Sequence, residues 1–276
     1  MCVYDCKINS KFKNGFLVNA SEKIKGKSNK ENLISTYLCH PSMANNELSG
    51  PLVMLGIYNR IKKWKNKNFT YRFLINPETI GSLCFLHSHG KKLKKTLNSG
   101  LVLTCLGGPE KKLSYKLSKY GNSTLDGLFI HLSKKNKISI REFNPAGGSD
   151  ERQYNSPGFD LPVGNISRSV YGKYDQYHNS GDDKKFMDIK KIEKSINNLE
   201  YFLKINDKLL PIKRFMPYGE LMLSKKNLYP SINFTANRDK LSTNNLADKR
   251  VQLDLILTIL SFADGIKNIL DIVELR

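Results

Sequence analysis

Four short polar runs in this chain group side chains of the types that exchange protons or bind metal ions at ordinary pH. The first reads His-Pro-Ser-Met-Ala-Asn-Asn-Glu-Leu-Ser-Gly at 40–50, after an apolar, partly β-branched stretch at 33–39. The second, Asn-Pro-Glu-Thr-Ile-Gly-Ser at 76–82, follows the apolar stretch 71–75. The third is Gly-Gly-Ser-Asp-Glu-Arg-Gln-Tyr at 147–154, and the fourth is Tyr-His-Asn-Ser-Gly-Asp at 177–182. Pro41 cannot donate to a continuing ladder, so the first strand ends on His40. Strand, polar loop and helix in that order put His40 at the carboxyl end of a strand, where open α/β sheets form ligand sites. An ordinary turn that carries a histidine has the same local sequence, so the other runs must decide.

Other reactive arrangements are weaker. Ser149, Asp150 and His178 suggest a hydrolase triad, but no Gly-x-Ser-x-Gly nucleophile elbow is present. Cys39 and His40 are neighbours on the expected strand, where side chains alternate between faces, so a thiol–imidazole pair is not expected. The glycine pairs at 107–108 and 147–148 lack the spacing of a phosphate-binding loop. Arg152 and Arg168 suit either a bidentate hold on a substrate carboxylate or a structural ion pair. Tyr154, Tyr171 and Tyr177 suit either a pocket wall or packing around one. His87, His89 and His131 lie on expected helices and read as surface or core residues.

The elements that must position these runs alternate. Strands are expected at 33–39, 71–75, 101–106, 138–143 and 167–170, and helices at 51–65, 80–97, 124–134 and 187–204. Met54, Ile57, Tyr58, Ile61 and Trp64 recur at helical spacing and read as a core face. Alternation of this kind argues for an α/β protein with a largely parallel sheet. The Lys13-Asn14-Gly15 sequence reads as a hairpin turn within residues 1–18, and 23–32 as a loop. Residues 209–250, with Pro211, Pro217 and Pro230, read as an extended connection. Two helices, 251–263 and 269–275, close the chain and are expected to pack on the main domain, since an isolated helical pair of this size is not stable.

The 276 residues suffice for one large or two modest domains. No run reaches the length of a membrane span, and residues 1–7 lack the features of a secretion signal. Five cysteines, Cys2, Cys6, Cys39, Cys84 and Cys105, are odd in number and irregularly spaced. Cys39, Cys84 and Cys105 lie in apolar runs and read as buried thiols, which suits the cytoplasm. The net charge of +20 is spread over short lysine clusters among many asparagines. It reads as solvated surface and compositional bias rather than as a nucleic-acid footprint.

Taken in order, the four runs resemble the di-zinc aminopeptidase superfamily. They are most similar to an uncharacterised aminopeptidase-like branch found with bacterial polysaccharide-biosynthesis genes. The similarity extends from about Leu33 onward, and 148–164 is its most specific part. It implies a three-layer α/β/α aminopeptidase-like sandwich with a mixed, largely parallel sheet and a short C-terminal helical segment. It divides the chain into an aminopeptidase-like domain, 1–245, shortened at its N-terminus, and a segment, 246–276, resembling the start of a winged-helix-like module. By motif, His40 and Asp150 would hold one metal ion, His178 would bind a second, and Glu78 would be the general base. Arg152 and Tyr177 would meet substrate. The bridging aspartate of the family is replaced by Asn46, and a neutral amide is a poor bridge between two dications. Glu47, next to it, would leave the chain in another direction. The resemblance therefore implies one zinc ion rather than two. It also implies hydrolysis of an amide bond in a peptide or acylated amino sugar, with a binding protein for a glycan intermediate or protein partner as the alternative.

Overall fold

The computed structural model describes residues 3–228 and 243–275. Seven strands form one sheet: β1 (Ala20–Ile24), β2 (Glu31–Tyr37), β3 (Thr70–Asn76), β4 (Leu97–Leu103), β5 (Ser114–Lys116), β6 (Ser139–Arg141) and β7 (Val163–Ser167). Their spatial order is β1-β3-β2-β4-β7-β5-β6. The pairs β2–β3, β2–β4, β4–β7 and β5–β6 are parallel, whereas β1–β3 and β5–β7 are antiparallel. The helices are α1 (Ser49–Lys63), α2 (Ile80–Thr96), α3 (Thr124–Lys134), the single turn α4 (Glu151–Tyr154), α5 (Ile189–Asn206), α6 (Thr243–Phe262) and α7 (Ile269–Val273).

The period of two along each strand sorts the core into two layers. Ile34, Phe73, Leu101 and Leu103 face one side, where they meet Val53, Ile57 and Ile61 of α1, Leu128 and Phe129 of α3, and Leu199 and Phe202 of α5. Leu33, Leu74 and Val102 face the other, against Phe85, Leu86 and Leu93 of α2 and Tyr154 of α4. Strands covered on both faces read as continuous apolar runs, which is why residues 33–39 and 71–75 looked strand-like. The architecture is the expected α/β/α sandwich with a mixed, mostly parallel sheet.

Chain order places the site. From β2 the chain passes through α1 to β3 on one side, then returns through α2 to β4 on the other side of β2. The strand order reverses between β2 and β4, and ligand crevices form outside the carboxyl ends of strands at such a point. Gly50 lets α1 close over this edge: a Cβ there would lie 2.2 Å from Thr36 Oγ1 and 2.8 Å from the Leu103 carbonyl oxygen.

Several expectations are corrected. Residues 3–19 contain no strand, because Phe12 and Phe16 are fully exposed and nothing packs on a hairpin there. Part of the expected loop 23–32 is instead β1, an antiparallel edge on β3. Of the thiols expected to be buried, only Cys105 is; Cys39 and Cys84 are exposed. Within the expected connection 209–250, residues 229–242 lie outside the described residues, a 3-10 turn spans Leu223–Lys226, and α6 begins earlier than anticipated. The closing helical pair does pack on the domain: α7 contacts α3, where Lys134 pairs with Glu274. Among the described residues, no helix is long and apolar enough to cross a membrane.

The third polar run is fixed by a buried ion pair. Lys116, on β5, donates to Glu151 at 2.9 Å and to the carbonyls of Asn144 and Gly147, and both charged side chains are almost fully buried. Removing one partner leaves the other charge uncompensated. Lys116→Ala is therefore expected to lower unfolding free energy by about 3–5 kcal/mol, read from the midpoint of urea denaturation.

Candidate metal centre

Three of the four polar runs meet at the carboxyl edge of β2, β3 and β4, and the third braces them. Strand β2 ends at Tyr37, so Cys39 and His40 lie in the turn that follows rather than on opposite strand faces. This overturns the expectation that they cannot meet: Cys39 Sγ lies 3.3 Å from His40 Nδ1. His40 has a carboxylate on each side. Its Nδ1 is 3.1 Å from Glu47 Oε2, and its Nε2 is 3.6 Å from Glu78 Oε2. The His178 ring stands 5.2 Å from that of His40, centroid to centroid, and Tyr177 stacks on His178 at 3.9 Å. Burial, and then His40, hold the His178 imidazole below its ordinary pKa, so it is neutral near pH 7, roughly half a unit or more above that ordinary value.

Glu78 owes its position to backbone geometry that the sequence does not advertise. Thr79 adopts φ 63° and ψ −68°, and Ile80 N–H donates to the Glu78 carbonyl at 2.7 Å. This is a γ-turn of the rare, strained hand, costly for a residue with a branched side chain. It is held by Asp150, whose Oδ1 accepts from Thr79 N–H at 2.7 Å and Ser82 Oγ at 3.0 Å, while Oδ2 accepts from Asn76 Nδ2 at 2.8 Å. Burial pushes the Asp150 carboxyl up to about 6 against the pull of these three donors. Ser149, one residue back, donates from its hydroxyl to Glu78 Oε1.

Asp150, expected by motif to share a metal ion with His40, is seen in the structure hydrogen-bonding the turn that carries Glu78 through both its oxygens. Asn46 does reach the site: it is buried, and its Oδ1 accepts from Tyr37 Oη at 2.8 Å. Its Nδ2 is buried without a hydrogen-bond partner. Arg152 is half-buried at the rim beside Ser149. Of its two readings Arg168 takes the structural one, through hydrogen bonds: it is buried and donates to Ser195 Oγ and to the carbonyls of Glu110 and Lys111.

Two contributors were not anticipated. Asp182, four residues past His178, is buried and accepts the backbone N–H groups of Asn45 and Asn46 at 2.6 and 2.8 Å. It thereby ties the fourth run to the first, and its Tyr-His-x-x-x-Asp spacing was the available signal. Cys105, just past β4, sits 3.4 Å from both Asn46 Oδ1 and Tyr174 Oη, with burial pushing its thiol up to about 12. Only the fold brings Cys105 there.

Ligand atoms of Cys39, His40 and Glu47 lie within 4.8 Å of one another, and Glu78 and His178 flank the same imidazole. Imidazole nitrogen and carboxylate oxygen are donor types that zinc takes, so His40 and His178, with the carboxylates beside His40, fit one ion. A second ion lacks its bridge. Asn46, at the position of that bridge by motif, offers a neutral amide whose Oδ1 is already taken by Tyr37.

A family model described as Domain of unknown function (DUF4910) matches residues 2–208. A Clostridium acetobutylicum protein, provisionally named a polysaccharide biosynthesis protein with aminopeptidase-like domain, is 40% identical over 186 residues, 67% of this chain and 42% of that protein. A crystal structure provisionally assigned as a peptidase, from the same species, matches with TM-score 0.71 at 30% identity, covering 93% of this chain and 54% of that one. A zinc aminopeptidase from Bacillus subtilis matches with TM-score 0.55 at 17% identity, covering 68% and 49%. At that identity the likeness is one of fold. The chain spans about half the length of these proteins or less.

Replacing Asp150 by Ala removes three hydrogen bonds to a charged acceptor, each worth about 1.5–3 kcal/mol, and leaves Asn76 Nδ2 and Ser82 Oγ only their carbonyl partners at Pro77 and Thr79. The variant is expected to lose at least about 2 kcal/mol of stability and to show fast hydrogen exchange at the Thr79 amide. Native-like protection there would contradict the bracing role.

Proposed function

This chain belongs to the family described as Domain of unknown function (DUF4910), and on that premise we propose that it is a zinc-dependent aminopeptidase-like hydrolase. Its substrate is an amide bond in a peptide or an acylated amino sugar. The observation that carries this reading is His40, set at the strand-order reversal with a carboxylate beside each ring nitrogen and His178 alongside. A link to surface polysaccharide is supported by the provisional name of the Clostridium relative. The described cysteines are all unpaired thiols, which suits a reducing compartment such as the cytoplasm.

His40 and His178 would hold the ion. Bound zinc supplies Lewis acidity toward the amide carbonyl and makes a water it binds more acidic. Glu78 does the proton transfer. Its Oε1 is held by the Ser149 hydroxyl, which leaves Oε2 to take a proton from the attacking water and deliver it to the departing amine. The strained Thr79 turn keeps that carboxylate aimed at the His40 side. Arg152 and Tyr177, at the rim, are proposed to meet the substrate. A second reading, a binding protein for a glycan intermediate or protein partner, is favoured by Asn46. Its amide contributes no charge where two ions would need a shared carboxylate.

Metal content of protein prepared without chelators or an affinity metal separates these readings. About one zinc per chain is expected, lost in His40→Ala. Glu78→Gln is expected to keep the zinc while lowering turnover of aminoacyl or acyl-amino-sugar amides roughly 10²–10⁴-fold. Zinc without turnover against any such amide would favour the binding protein, and no zinc uptake would sink the hydrolase.

Acidity supplies another check. Histidine ligands bind only as neutral imidazoles, and His178 is held below its ordinary pKa. Zinc is therefore expected to stay bound near pH 7 and to be released as pH falls below about 6.5. Equilibrium dialysis across that range measures it, and release on raising the pH instead would contradict histidine ligation.

A further inference from the structure

Resting on the metal-binding reading above, we propose that Glu47 is the positioning carboxylate of His40. It holds the ring as the tautomer protonated on Nδ1, leaving Nε2, on the side of Glu78, as the atom that binds the ion. The two ring nitrogens see different geometry. At 3.1 Å, Glu47 Oε2 is within hydrogen-bonding distance of Nδ1, whereas Glu78 Oε2, at 3.6 Å from Nε2, is beyond it. A proton on Nδ1 is accepted by a carboxylate; a proton on Nε2 would have no acceptor at that distance. Cys39 Sγ also lies near Nδ1, at 3.3 Å, but sulfur is a weaker acceptor than a carboxylate oxygen.

Glu47 has no competing use. It is 4% exposed, and among the described residues no Lys or Arg forms an ion pair with it; its side chain hydrogen-bonds His40. Its place is also fixed. Asp182 accepts the N–H groups of Asn45 and Asn46 from its side chain and that of Ala44 from its carbonyl, clamping the segment just ahead of Glu47. The same clamp begins four residues after His178, so one backbone anchor sets the spacing of both histidines. A carboxylate on the far nitrogen of a metal-binding histidine fixes its orientation and raises its basicity, and its loss typically weakens metal affinity 10–100-fold.

The test uses the full chain. Long-range proton–nitrogen NMR of the metal-free wild type, well above the ordinary imidazole pKa, is expected to show His40 protonated on Nδ1, and Glu47→Ala is expected to show both tautomers. Zinc titration against a competing chelator should show Glu47→Ala binding about 10–100-fold more weakly. Glu47→Gln, nearly isosteric and still an acceptor, should lose less and serves where the alanine variant fails to unfold cooperatively. Three results would overturn the proposal: an Nε2-protonated ring in the wild type, undiminished zinc affinity in both variants, or a thiolate-to-cobalt absorption band abolished by Cys39→Ser. The last would put the ion on the Nδ1 side, with Glu47 and Cys39 as ligands. A wild type with the Nδ1 tautomer that binds no zinc would sink the hydrolase reading while upholding the hold of Glu47 on the ring.

Discussion

One buried carboxylate holds the site together. Asp150 accepts from Thr79 N–H, Ser82 Oγ and Asn76 Nδ2, and these three bonds maintain a γ-turn that a threonine would not adopt unaided. Without that turn, α2 would start in a different direction and Glu78 would not face His40. Three of the roughly four lone-pair sites of this carboxylate are taken up by the turn. Its contribution is geometric, made through the backbone of the residue that follows Glu78.

Asp150 is in turn positioned by its neighbours in the same run. Gly148 has φ 146°, and a Cβ there would fall 2.0 Å from Glu151 Oε1 and 2.5 Å from Lys116 Nζ. Glycine is thus required both for conformation and for space, because the loop folds directly over the buried Lys116–Glu151 pair. Ser149 then reaches Glu78 by its hydroxyl while its own N–H is held by Glu151. Four consecutive residues have four separate tasks: making room, holding the candidate base, holding the turn and anchoring the loop. These four residues open the stretch 148–164 in which the resemblance is most specific.

The first and fourth runs are joined in a similar way by Asp182. Its side chain and carbonyl accept three successive N–H groups of the segment carrying Asn46, so that the loop of His40 and the loop of His178 move as one unit. Around His40 the charge is asymmetric. A buried carboxylate lies on the Nδ1 side, a half-buried one lies on the Nε2 side, and the amide of Asn46 contributes none. Such a set supports one dication more readily than two, since each added charge in a partly desolvated site needs a compensating partner.

The fold was largely legible in the sequence, because strands buried on both faces and helices with one apolar face leave periodic traces that survive single substitutions. Residues 124–134, expected as a helix, form one with those bounds, which the structure shows to open on a capping box at Ser123 and Asp126. His40 at a strand end and Glu78 in a polar turn were legible for the same reason: the apolar stretch before each one stops abruptly. The hairpin expected around Asn14-Gly15 failed because a turn sequence cannot hold strands that have nothing to pack against. The hydrogen bonds of Asp150 to the Thr79 turn were not legible, because sequence shows a residue's type but not which atoms occupy its lone pairs. The meeting of Cys39 with His40, the reach of Glu47 to Nδ1, and the buried Arg168 bound to Ser195 were decided only by tertiary structure. Each depends on where a strand ends to within a residue, or on contacts between segments far apart in the chain, and neither is written in local periodicity.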